Sequence, residues 1–312
     1  MISPVFTLLE SSRWNDYALI DSGDGLKLER FGNYIFVRPE SQAMWKRSLD
    51  HEWKQAHAVF QPTGEESGGH WDFKKKVDEK WMMSYPLTHI SSPAERGVLK
   101  FWAMTTPGRH LGVFPEVAAH WDWLNNLIHH RVHEEHRETN VLNLFGYTGL
   151  ATLAAASAGA RVTHVDASKK SVSWARENQV LSNLTEKPIR WIVDDALKFV
   201  QREARRGVKY DGIILDPPKF GRGPKGEVWE VYKSLPALLE ACRECLSDQP
   251  LFVVTTMYAV RASAIHVAQA TEDMLYGFDG KIEMGELITR EQSAGRLLSQ
   301  AVYARWEGKV QL

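Results

Sequence analysis

The sequence of 312 residues has few cysteines, no long apolar run and almost no net charge. Its two cysteines, Cys242 and Cys245, are too few for a disulfide framework and fit a reducing compartment. They lie in the helical pattern ALLEACRECL without a second ligand pair, so core packing is favoured over a zinc or redox site. No apolar stretch approaches the roughly 18 residues that span a bilayer, and residues 1–14 lack the basic start of a signal peptide. The sequence therefore predicts a cytoplasmic protein without a membrane partner.

The formal net charge of −1 gives no overall basic footprint of the kind that nucleic-acid-binding proteins often show. Contact with nucleic acid would have to come from local groups such as residues 74–76 or 202–206, for which solvated surface is the commoner explanation. His129, His133 and His136 share one face of a predicted helix, but no acidic–histidine signature accompanies them. We expect a polar helix surface there, and no metal site.

The pattern of apolar and turn-forming residues changes near residue 110. Before it, the short β-like runs YALIDS, LKLERFG, YIFVRP and LKFWAMTT are broken by Gly and Pro, with a loop-like stretch at 61–72. After it, apolar runs alternate with helical patterns, which predicts a parallel sheet with right-handed crossovers. The expected fold class is α/β. Residues 111–312 would form a doubly wound, mostly parallel, seven-stranded Rossmann-like sheet, and residues 1–110 a smaller, mainly β N-terminal domain.

The strands predicted in the second region are VLNLF, RVTHVD, IRWIVDD, YDGIILD, LFVVTTM, KIEMGEL and SQAVYARWE. Open α/β sheets bind ligands beyond the carboxyl ends of their strands, so the residues that follow these runs are the functional candidates. Gly146 and Gly149 in NLFGYTG let the backbone turn tightly and approach a ligand. A purely structural strand-to-helix turn explains these two glycines equally well, and the G-x-G-x-x-G of nicotinamide enzymes is missing.

Three acidic positions end the next strands. Asp166 follows the glycine turn by about 20 residues, where a carboxylate can accept both hydrogen bonds from ribose hydroxyls. It therefore indicates an adenosine group without identifying the cofactor. Asp194 and Asp195 end the third strand, and one of them could accept from an adenine amino group or cap the following helix. We favour Asp195 as the adenine contact.

The strongest motif, Asp216-Pro217-Pro218-Lys219-Phe220, follows the fourth strand. Its prolines fix φ and remove two backbone donors, leaving carbonyls that can only accept. Such a rigid corner can hold an amine or a base edge beside a methyl donor. A proline-rich strand terminator is the simpler alternative, but the motif's position in the alternating pattern favours the functional interpretation.

These motifs resemble those of class I S-adenosylmethionine-dependent methyltransferases. NLFGYTG, HVDASKKSVSWARENQVLSN, VDDALKFV and LDPPKF occur in the order and spacing of that family. They are most similar to the large-subunit ribosomal RNA methyltransferase family that carries an Asp-Pro-Pro-Lys-Phe motif. The segment GVFPE at 112–116 also resembles the glycine–phenylalanine–acidic segment that precedes the first strand there. The similarity covers roughly residues 111–312.

The resemblance implies S-adenosylmethionine as cofactor at the ends of the first two strands. Residues 143–149 would hold the methionyl part, Asp166 the ribose and Asp195 the adenine amine, while residues 216–220 would line the acceptor pocket and Asn178 would support the site. The cofactor candidates are Asn143, Phe145, Gly146, Tyr147, Thr148, Gly149, Asp166, Ala167, Asp194, Asp195 and Asp216. The catalytic candidates are Asp216, Pro217, Pro218, Lys219, Phe220 and Tyr258.

Two departures from related enzymes narrow the expected chemistry. Cytosine-C5 enzymes need a cysteine nucleophile after the fifth strand, where this sequence has TTMY at 255–258. Amino-directed enzymes carry an aromatic residue directly after the two prolines, to stack on a flipped base, whereas Lys219 stands there and Phe220 comes next. We therefore expect direct transfer to a nitrogen or oxygen acceptor. Asp216 would accept a hydrogen bond from that acceptor, and Lys219 or Tyr258 would contact substrate.

Three functions stay open on the sequence alone. An RNA-directed, rRNA-type methyltransferase is supported by the resemblance and opposed by the near-neutral charge. A methyltransferase for a small molecule or a protein could use the tryptophan-rich N-terminal region as a lid. A nucleotide-binding module without catalysis, or a nicotinamide oxidoreductase, is disfavoured by the missing glycine fingerprint. The oligomeric state is not indicated.

Overall fold

A computed structural model describes residues 5–63, 68–87 and 97–309 of the chain. The elements of its N-terminal third are β1 (Val5–Glu10), β2 (Tyr17–Gly23), β3 (Leu26–Phe31), β4 (Tyr34–Pro39), α1 (Asp50–Trp53), β5 (Ala58–Pro62), β6 (Gly69–Phe73), β7 (Trp81–Pro86) and β8 (Val98–Ala103).

The remaining elements alternate between strand and helix, as the sequence predicts. The strands are β9 (Asn140–Leu144), β10 (Arg161–Asp166), β11 (Ile189–Val193), β12 (Gly212–Leu215), β13 (Phe220–Arg222), β14 (Val228–Glu230), β15 (Phe252–Met257), β16 (Gly280–Arg290) and β17 (Leu297–Gly308). The helices are α2 (Ala118–His129), α3 (Leu150–Ser157), α4 (Lys169–Leu181), α5 (Ala196–Arg205), α6 (Val231–Glu244) and α7 (Ala264–Met274). Among the described residues, no helix combines the length and the apolar character needed to cross a membrane.

The large sheet has the strand order β1-β16-β17-β15-β12-β9-β10-β11. Strands β9, β10, β11, β12 and β15 run parallel, and β17 is antiparallel to β15 and β16. Both faces are covered, because Ile214 packs in a core with α2 and α3 while Ile213 packs in a second core with α5, α6 and α7. The predicted doubly wound α/β fold is confirmed. Strand order reverses between β9 and β12, the position at which such sheets bind ligands.

Strand β1 corrects the predicted strand count. It pairs in parallel with β16, from Val5 opposite Glu283 to Glu10 opposite Ile288, and extends the large sheet from seven strands to eight. A strand from the predicted domain 1–110 therefore lies in the sheet of the region 111–312. The side chain of Phe6 in β1 is 54% exposed. The short run VFTLLE does not reveal its partner, because that partner lies at the other end of the chain.

The rest of the N-terminal third forms a five-stranded sheet, β2-β3-β4-β5-β6, and a separate hairpin, β7-β8. The four predicted β-like runs correspond to β2, β3, β4 and β8. The predicted loop at 61–72 is too long, because β5 extends to Pro62 and β6 begins at Gly69. Proline is tolerated at a strand end, so it does not exclude a strand here. Residues 64–67 of that predicted loop lie outside the described residues.

The β7–β8 hairpin connects the N-terminal third to the functional end of the sheet. The backbone N–H of Trp102 in β8 donates to Oδ1 of Asn178 in α4 at 2.9 Å. Nδ2 of the same Asn178 donates to the carbonyl of Thr148 at 3.0 Å. Asn178 is fully buried, so it holds the loop after β9 against the hairpin.

Candidate active site

The loop between β9 and α3 has an unusual backbone. Phe145, Tyr147 and Gly149 all have positive φ, at 58°, 49° and 83°. Glycine adopts this region without strain, whereas the two aromatic residues do so at some cost. A Cβ added to Gly146 would lie 2.4 Å from the ring of His164 in β10, so only glycine fits there. The loop is thus drawn closely over the second strand.

A chain of buried hydrogen bonds lies beneath this loop. Asn143 Nδ2 donates to Thr152 Oγ1 at 2.9 Å, and Thr152 Oγ1 lies 2.9 Å from His164 Nδ1. All three side chains are buried. Burial holds the pKa of His164 down at about 3, so its imidazole is neutral. Asn143, a predicted cofactor residue, is therefore held in one orientation at the end of β9.

Asp166 ends β10 beside the loop. Its Oδ2 accepts from the backbone N–H of Tyr147 at 2.9 Å, and its Oδ1 accepts from the N–H of Ser168 at 2.8 Å. Burial raises the pKa of this carboxyl, and the two backbone hydrogen bonds oppose that shift. Each oxygen keeps a second lone pair, so the half-buried carboxylate can still accept from ligand hydroxyls. Ala167 follows it, also half-buried.

Both aspartates after β11 have structural partners. Asp195 caps α5, with Oδ1 accepting from the N–H of Lys198 at 2.9 Å. Asp194 accepts from the N–H of Asp195 at 2.9 Å and forms an ion pair with Arg202. Asp195 therefore caps a helix, as the alternative interpretation predicted. The cap uses one of its two carboxylate oxygens. Asp166, Asp194 and Asp195 lie outside the wall of the main cleft.

The Asp-Pro-Pro corner after β12 is rigid, and some of its backbone carbonyls already accept hydrogen bonds from the protein. Asp216 is half-buried, Pro217 is buried, and the next three residues are exposed. The carbonyl of Pro218 accepts from Trp229 Nε1 at 2.6 Å, and the carbonyl of Lys219 accepts from the N–H of Val231 at 3.0 Å. Two carbonyls of the predicted acceptor corner therefore already have protein donors. Asp216 and the carbonyl of Pro217 are left as its candidate contacts.

The short β13–β14 hairpin joins the two halves of the site. Trp229 in β14 is 4% exposed, and its ring centroid lies 4.9 Å from that of Phe145 in the loop after β9. The same indole holds the carbonyl of Pro218. One side chain therefore contacts both the loop after β9 and the Asp-Pro-Pro corner, a link that the sequence did not indicate.

A cleft opens between α2 and the carboxyl ends of β9, β12 and β15. The predicted site residues in its wall are Asn143, Phe145, Gly146, Tyr147, Thr148 and Asp216. The α2 side contributes Val117, His120, Trp121 and Leu124, spaced as one helix face. Tyr258 is not among the lining residues, but its ring lies 5.1 Å from that of Phe114, which is. The structure thus gathers the glycine loop and Asp216 around one space.

Three ionisable side chains influence one another beside this cleft. Burial, and then the charge of Glu116, raise the pKa of Asp216 from its usual 3.8 to about 7. Burial also raises the pKa of Glu116. Burial and the charges of Glu116 and Asp216 raise the pKa of Tyr258. Strongly shifted groups in a cleft are candidates for a functional site.

Sequence reasoning did not assign Glu116 or His120 to the site. The acidic position of the segment 112–116 was a usable signal for Glu116, since that segment resembles a family motif. His120 had no such signal, because a lone histidine in a helical pattern is indistinguishable from a core residue.

The arrangement fits a sulfonium nucleoside. Gly146 brings the backbone close to the cleft, Asp166 offers a half-buried carboxylate at the neighbouring strand end, and Asp216 faces the same cleft. In the described part of the chain, no group of three or more His, Cys, Asp or Glu side chains is arranged to hold a metal ion. His129, His133 and His136 are half-buried or exposed.

Comparison with solved structures gives a close match. The S-adenosylmethionine-dependent methyltransferase from Agrobacterium tumefaciens is 47% identical, with a TM-score of 0.86, over 98% of this chain and 96% of that one. A structure from Streptococcus mutans described as an S-adenosylmethionine-dependent methyltransferase is 16% identical, with a TM-score of 0.66, over 95% of this chain and 76% of that one. The second match shows a shared fold.

Sequence comparison finds shorter matches. The family model described as conserved hypothetical protein 95 matches residues 120–237. The ribosomal RNA large subunit methyltransferase K/L of Hahella chejuensis is 30% identical over 61% of this chain and 26% of its own length. The protein of the same name from Pseudoalteromonas atlantica is 37% identical over 37% of this chain and 16% of its own length. The chain thus spans about a quarter or less of these relatives.

The near-complete match at 47% identity agrees with the observed fold. It also confirms the resemblance and the cofactor that the sequence motifs predicted. This chain belongs to the class I S-adenosylmethionine-dependent methyltransferases.

Proposed function

We propose that the enzyme methylates RNA, and specifically ribosomal RNA of the large subunit. The observation that carries this proposal is the outward face of the β13–β14 hairpin, which directly follows the Asp-Pro-Pro corner. The names of the K/L relatives add support, since they match this chain through its central region. A cytoplasmic location, as the sequence predicts, belongs to the same proposal.

The register of the hairpin separates its two faces. Phe220 pairs with Glu230 and Arg222 pairs with Val228, so these four side chains point away from Trp229, which pairs with Gly221. Phe220 is 51% exposed and Val228 is 55% exposed. An exposed aromatic ring beside an arginine is the combination on which single-stranded nucleic acids stack while their phosphates are neutralised.

Local charge supports an RNA substrate even though the total charge is near neutral. The segment 219–233 carries four cations and two acids. Of the acids, Glu227 forms an ion pair with Lys198 at 2.8 Å, and Glu230 forms one with Lys233 at 2.6 Å. The face beside the corner is thus locally basic, which favours a polyanionic partner.

A small-molecule or protein substrate finds less support. In that alternative the tryptophan-rich N-terminal region could form a lid. Trp53 and Trp81 are buried, and the indole N–H groups of Trp14 and Trp71 donate to the backbone carbonyls of Pro115 and Thr106 at 2.9 Å. These tryptophans serve as core anchors.

We propose direct transfer to a nitrogen or oxygen of the base or ribose. When bound, S-adenosylmethionine supplies an electrophilic methyl group. Asp216 would accept a hydrogen bond from the attacking amine or hydroxyl and take its proton, because a pKa of about 7 suits a base at neutral pH. Tyr258 and the exposed Lys219 would contact the substrate around it.

A cysteine nucleophile has no place in this site. Cys242 and Cys245 are fully buried in the core formed by α5, α6 and α7, and burial raises the pKa of both thiols. The residues that follow β15 carry no thiol. The double variant Cys242→Ala, Cys245→Ala should therefore keep full transfer to the natural acceptor.

The proposal is tested with labelled S-adenosylmethionine and four acceptor pools from one cell extract: protein-free large-subunit rRNA, intact large subunits, soluble proteins and small molecules. We expect the label in rRNA or in subunits. Arg222→Glu should lower RNA labelling at least tenfold, since it replaces the proposed phosphate-binding cation with an anion. Lys281→Glu, an exposed change at the start of β16 and so at the end of the sheet away from the cleft, should not. Label confined to proteins or small molecules would refute the RNA assignment.

A further inference from the structure

A groove lies at the carboxyl end of the sheet, between the starts of α6 and α7. Thr256 lines the cleft, whereas Met257, the next residue of β15, lines this groove. Successive side chains of a strand point to opposite faces of its sheet, so the cleft and the groove lie back to back around the end of β15. The groove encloses about 410 Å³, which is in the size range of ligand sites. The predicted cofactor and catalytic residues, all within the described ranges, do not line it.

Tyr232 provides a fixed aromatic surface in the groove. It is 57% exposed, and its hydroxyl accepts from the backbone N–H of Arg261 at 2.6 Å and from that of Ala262 at 3.2 Å. These two hydrogen bonds hold the tip of the ring against the loop after β15. Pro236 lines the groove one helical turn further along α6, so the apolar surface extends beyond the ring. Because the ring is already held, little conformational freedom is lost when a flat ligand stacks on it.

The polar part of the wall carries donors and no carboxylate. Arg261 and His266 line the groove and are exposed, and none of the described residues that line it is acidic. The segment 257–268 contains no Asp or Glu. Nδ1 of His266 accepts from the N–H of Ser263 at 3.2 Å, so the proton of the neutral ring lies on Nε2, which can donate. An aromatic surface beside a guanidinium and an imidazole N–H matches a nucleotide, whose base stacks and whose phosphate accepts hydrogen bonds.

The groove continues the face of the hairpin on which the RNA proposal is based. Tyr232 comes two residues after Glu230, where β14 ends, and α6 begins between them. The nucleotide to be methylated must enter the cleft, because Asp216 and the glycine loop line the cleft. A nucleotide in the groove, on the other face of the sheet, is therefore a different one in the same strand.

We propose that the groove binds an unpaired nucleotide that neighbours the methylated one, with its base stacked on Tyr232 and its phosphate bound by Arg261. The inference rests on the proposed RNA substrate and adds a second, separate contact to it. Stacking tolerates any base, so the groove would position the strand without selecting its sequence.

The test is binding of a fluorescein-labelled oligouridylate of about twelve nucleotides to the full chain saturated with S-adenosylhomocysteine, followed by fluorescence anisotropy. Tyr232→Leu should weaken binding about tenfold, the loss expected for one stacked base. Tyr232→Phe loses the same two hydrogen bonds but keeps the ring, so its affinity should stay within about threefold of the wild type. Tyr276→Leu, the same change at an exposed tyrosine beyond the far end of α7, should leave binding unchanged. Arg261→Gln should lower the slope of log affinity against log salt concentration by about one.

Each other outcome overturns the inference. Wild-type affinity in Tyr232→Leu would show that no base stacks there, as expected if the groove docked a protein segment. Equal losses in Tyr232→Phe and Tyr232→Leu would show that Tyr232 acts only by positioning the loop after β15. If either occurred while rRNA labelling still depended on Arg222, the RNA assignment would stand without this contact. A wild-type protein that does not bind the oligouridylate would also overturn the inference, and label confined to proteins or small molecules would overturn the RNA proposal with it.

Discussion

The carboxylate of Asp166 accepts a hydrogen bond from the backbone N–H of Tyr147, 2.9 Å away. This contact joins the end of β10 to the loop after β9, whose Tyr147 has a positive φ of 49°. The residue expected to bind the ribose therefore also holds the loop expected to bind the methionyl part. A ligand spanning the two strand ends meets a surface that is already organised.

We expect Asp166→Ala to weaken S-adenosylhomocysteine binding by more than tenfold. The change removes charged acceptors for the ribose, each worth about 1.5–3 kcal/mol, and releases the Tyr147 N–H. Calorimetric titration measures the loss. Binding within twofold of the wild type would show that the ribose lies elsewhere.

Asp195→Ser separates helix capping from adenine recognition. Serine can still accept from the N–H of Lys198 as an N-cap, so the free energy of unfolding should change by less than about 0.5 kcal/mol. If the second carboxylate oxygen contacts the adenine amine, S-adenosylhomocysteine affinity should fall about threefold to tenfold. Unchanged affinity with unchanged stability would assign Asp195 to capping alone.

Gly146→Ala should weaken cofactor binding at least tenfold, because the added Cβ would meet the buried ring of His164 at 2.4 Å and displace the loop. Gly207→Ala is the matched control. Gly207 has a φ of 69° with nothing near its would-be Cβ, so alanine there costs about 1 kcal/mol of backbone strain and leaves binding intact. Equal affinities of the two variants would contradict this account of the loop.

Trp229→Phe should keep the contact with Phe145 and lose the hydrogen bond to the Pro218 carbonyl, at a cost of about 1 kcal/mol in stability. Trp229→Ala should cost about 3–5 kcal/mol. Because the indole braces the acceptor corner, methyl transfer should fall in both variants, while Trp229→Phe should bind S-adenosylhomocysteine within about threefold of the wild type. Native unfolding behaviour of Trp229→Ala would be inconsistent with the buried position observed.

The pKa of Asp216 predicts a pH dependence of activity. The proposed base must be ionised, so the single-turnover rate should rise with pH and level off above about pH 7. Asp216→Asn should lower the rate at least a hundredfold and abolish this inflection. A wild-type rate that is flat from pH 6 to pH 8 would remove Asp216 from proton transfer.

Stability provides an independent check on the same group. The folded protein retains a proton on Asp216 that the unfolded chain loses near pH 3.8, so this carboxyl destabilises the fold progressively as pH rises from about 4 to 7. Asp216→Asn does not titrate. Its melting temperature should match that of the wild type near pH 4 and exceed it above pH 7, by about 1–2 °C for this partly exposed group.

Much of the site could be predicted because its parts are local in sequence. Apolar runs such as IIL in β12 and VVTT in β15 identify strands buried on both faces, and the carboxyl ends of parallel strands share one edge. Residues just after those runs must therefore converge. Asn143, Gly146 and Asp216 lie around one cleft for that reason.

Residues near a strand end still differ in role, and the sequence could not show which of them have structural partners and which are left to contact a ligand. Asp194 and Asp195 are adjacent, yet one forms an ion pair with Arg202 and the other caps α5. The carbonyl of Pro218 was expected to face an acceptor but is held by Trp229. These outcomes depend on side-chain partners that no nearest-neighbour pattern encodes.

The sequence by itself determined the alternating architecture, the glycine turn, the acidic strand ends and the absence of a thiol after β15, because each depends on residue type and local spacing. Only the tertiary structure decided that β1 completes the large sheet, that Glu116 lies near Asp216, and that His120 is buried in the wall of the cleft. Those relationships arise when distant segments pack together. The energy of such packing is a property of the whole chain and is not contained in any one of its segments.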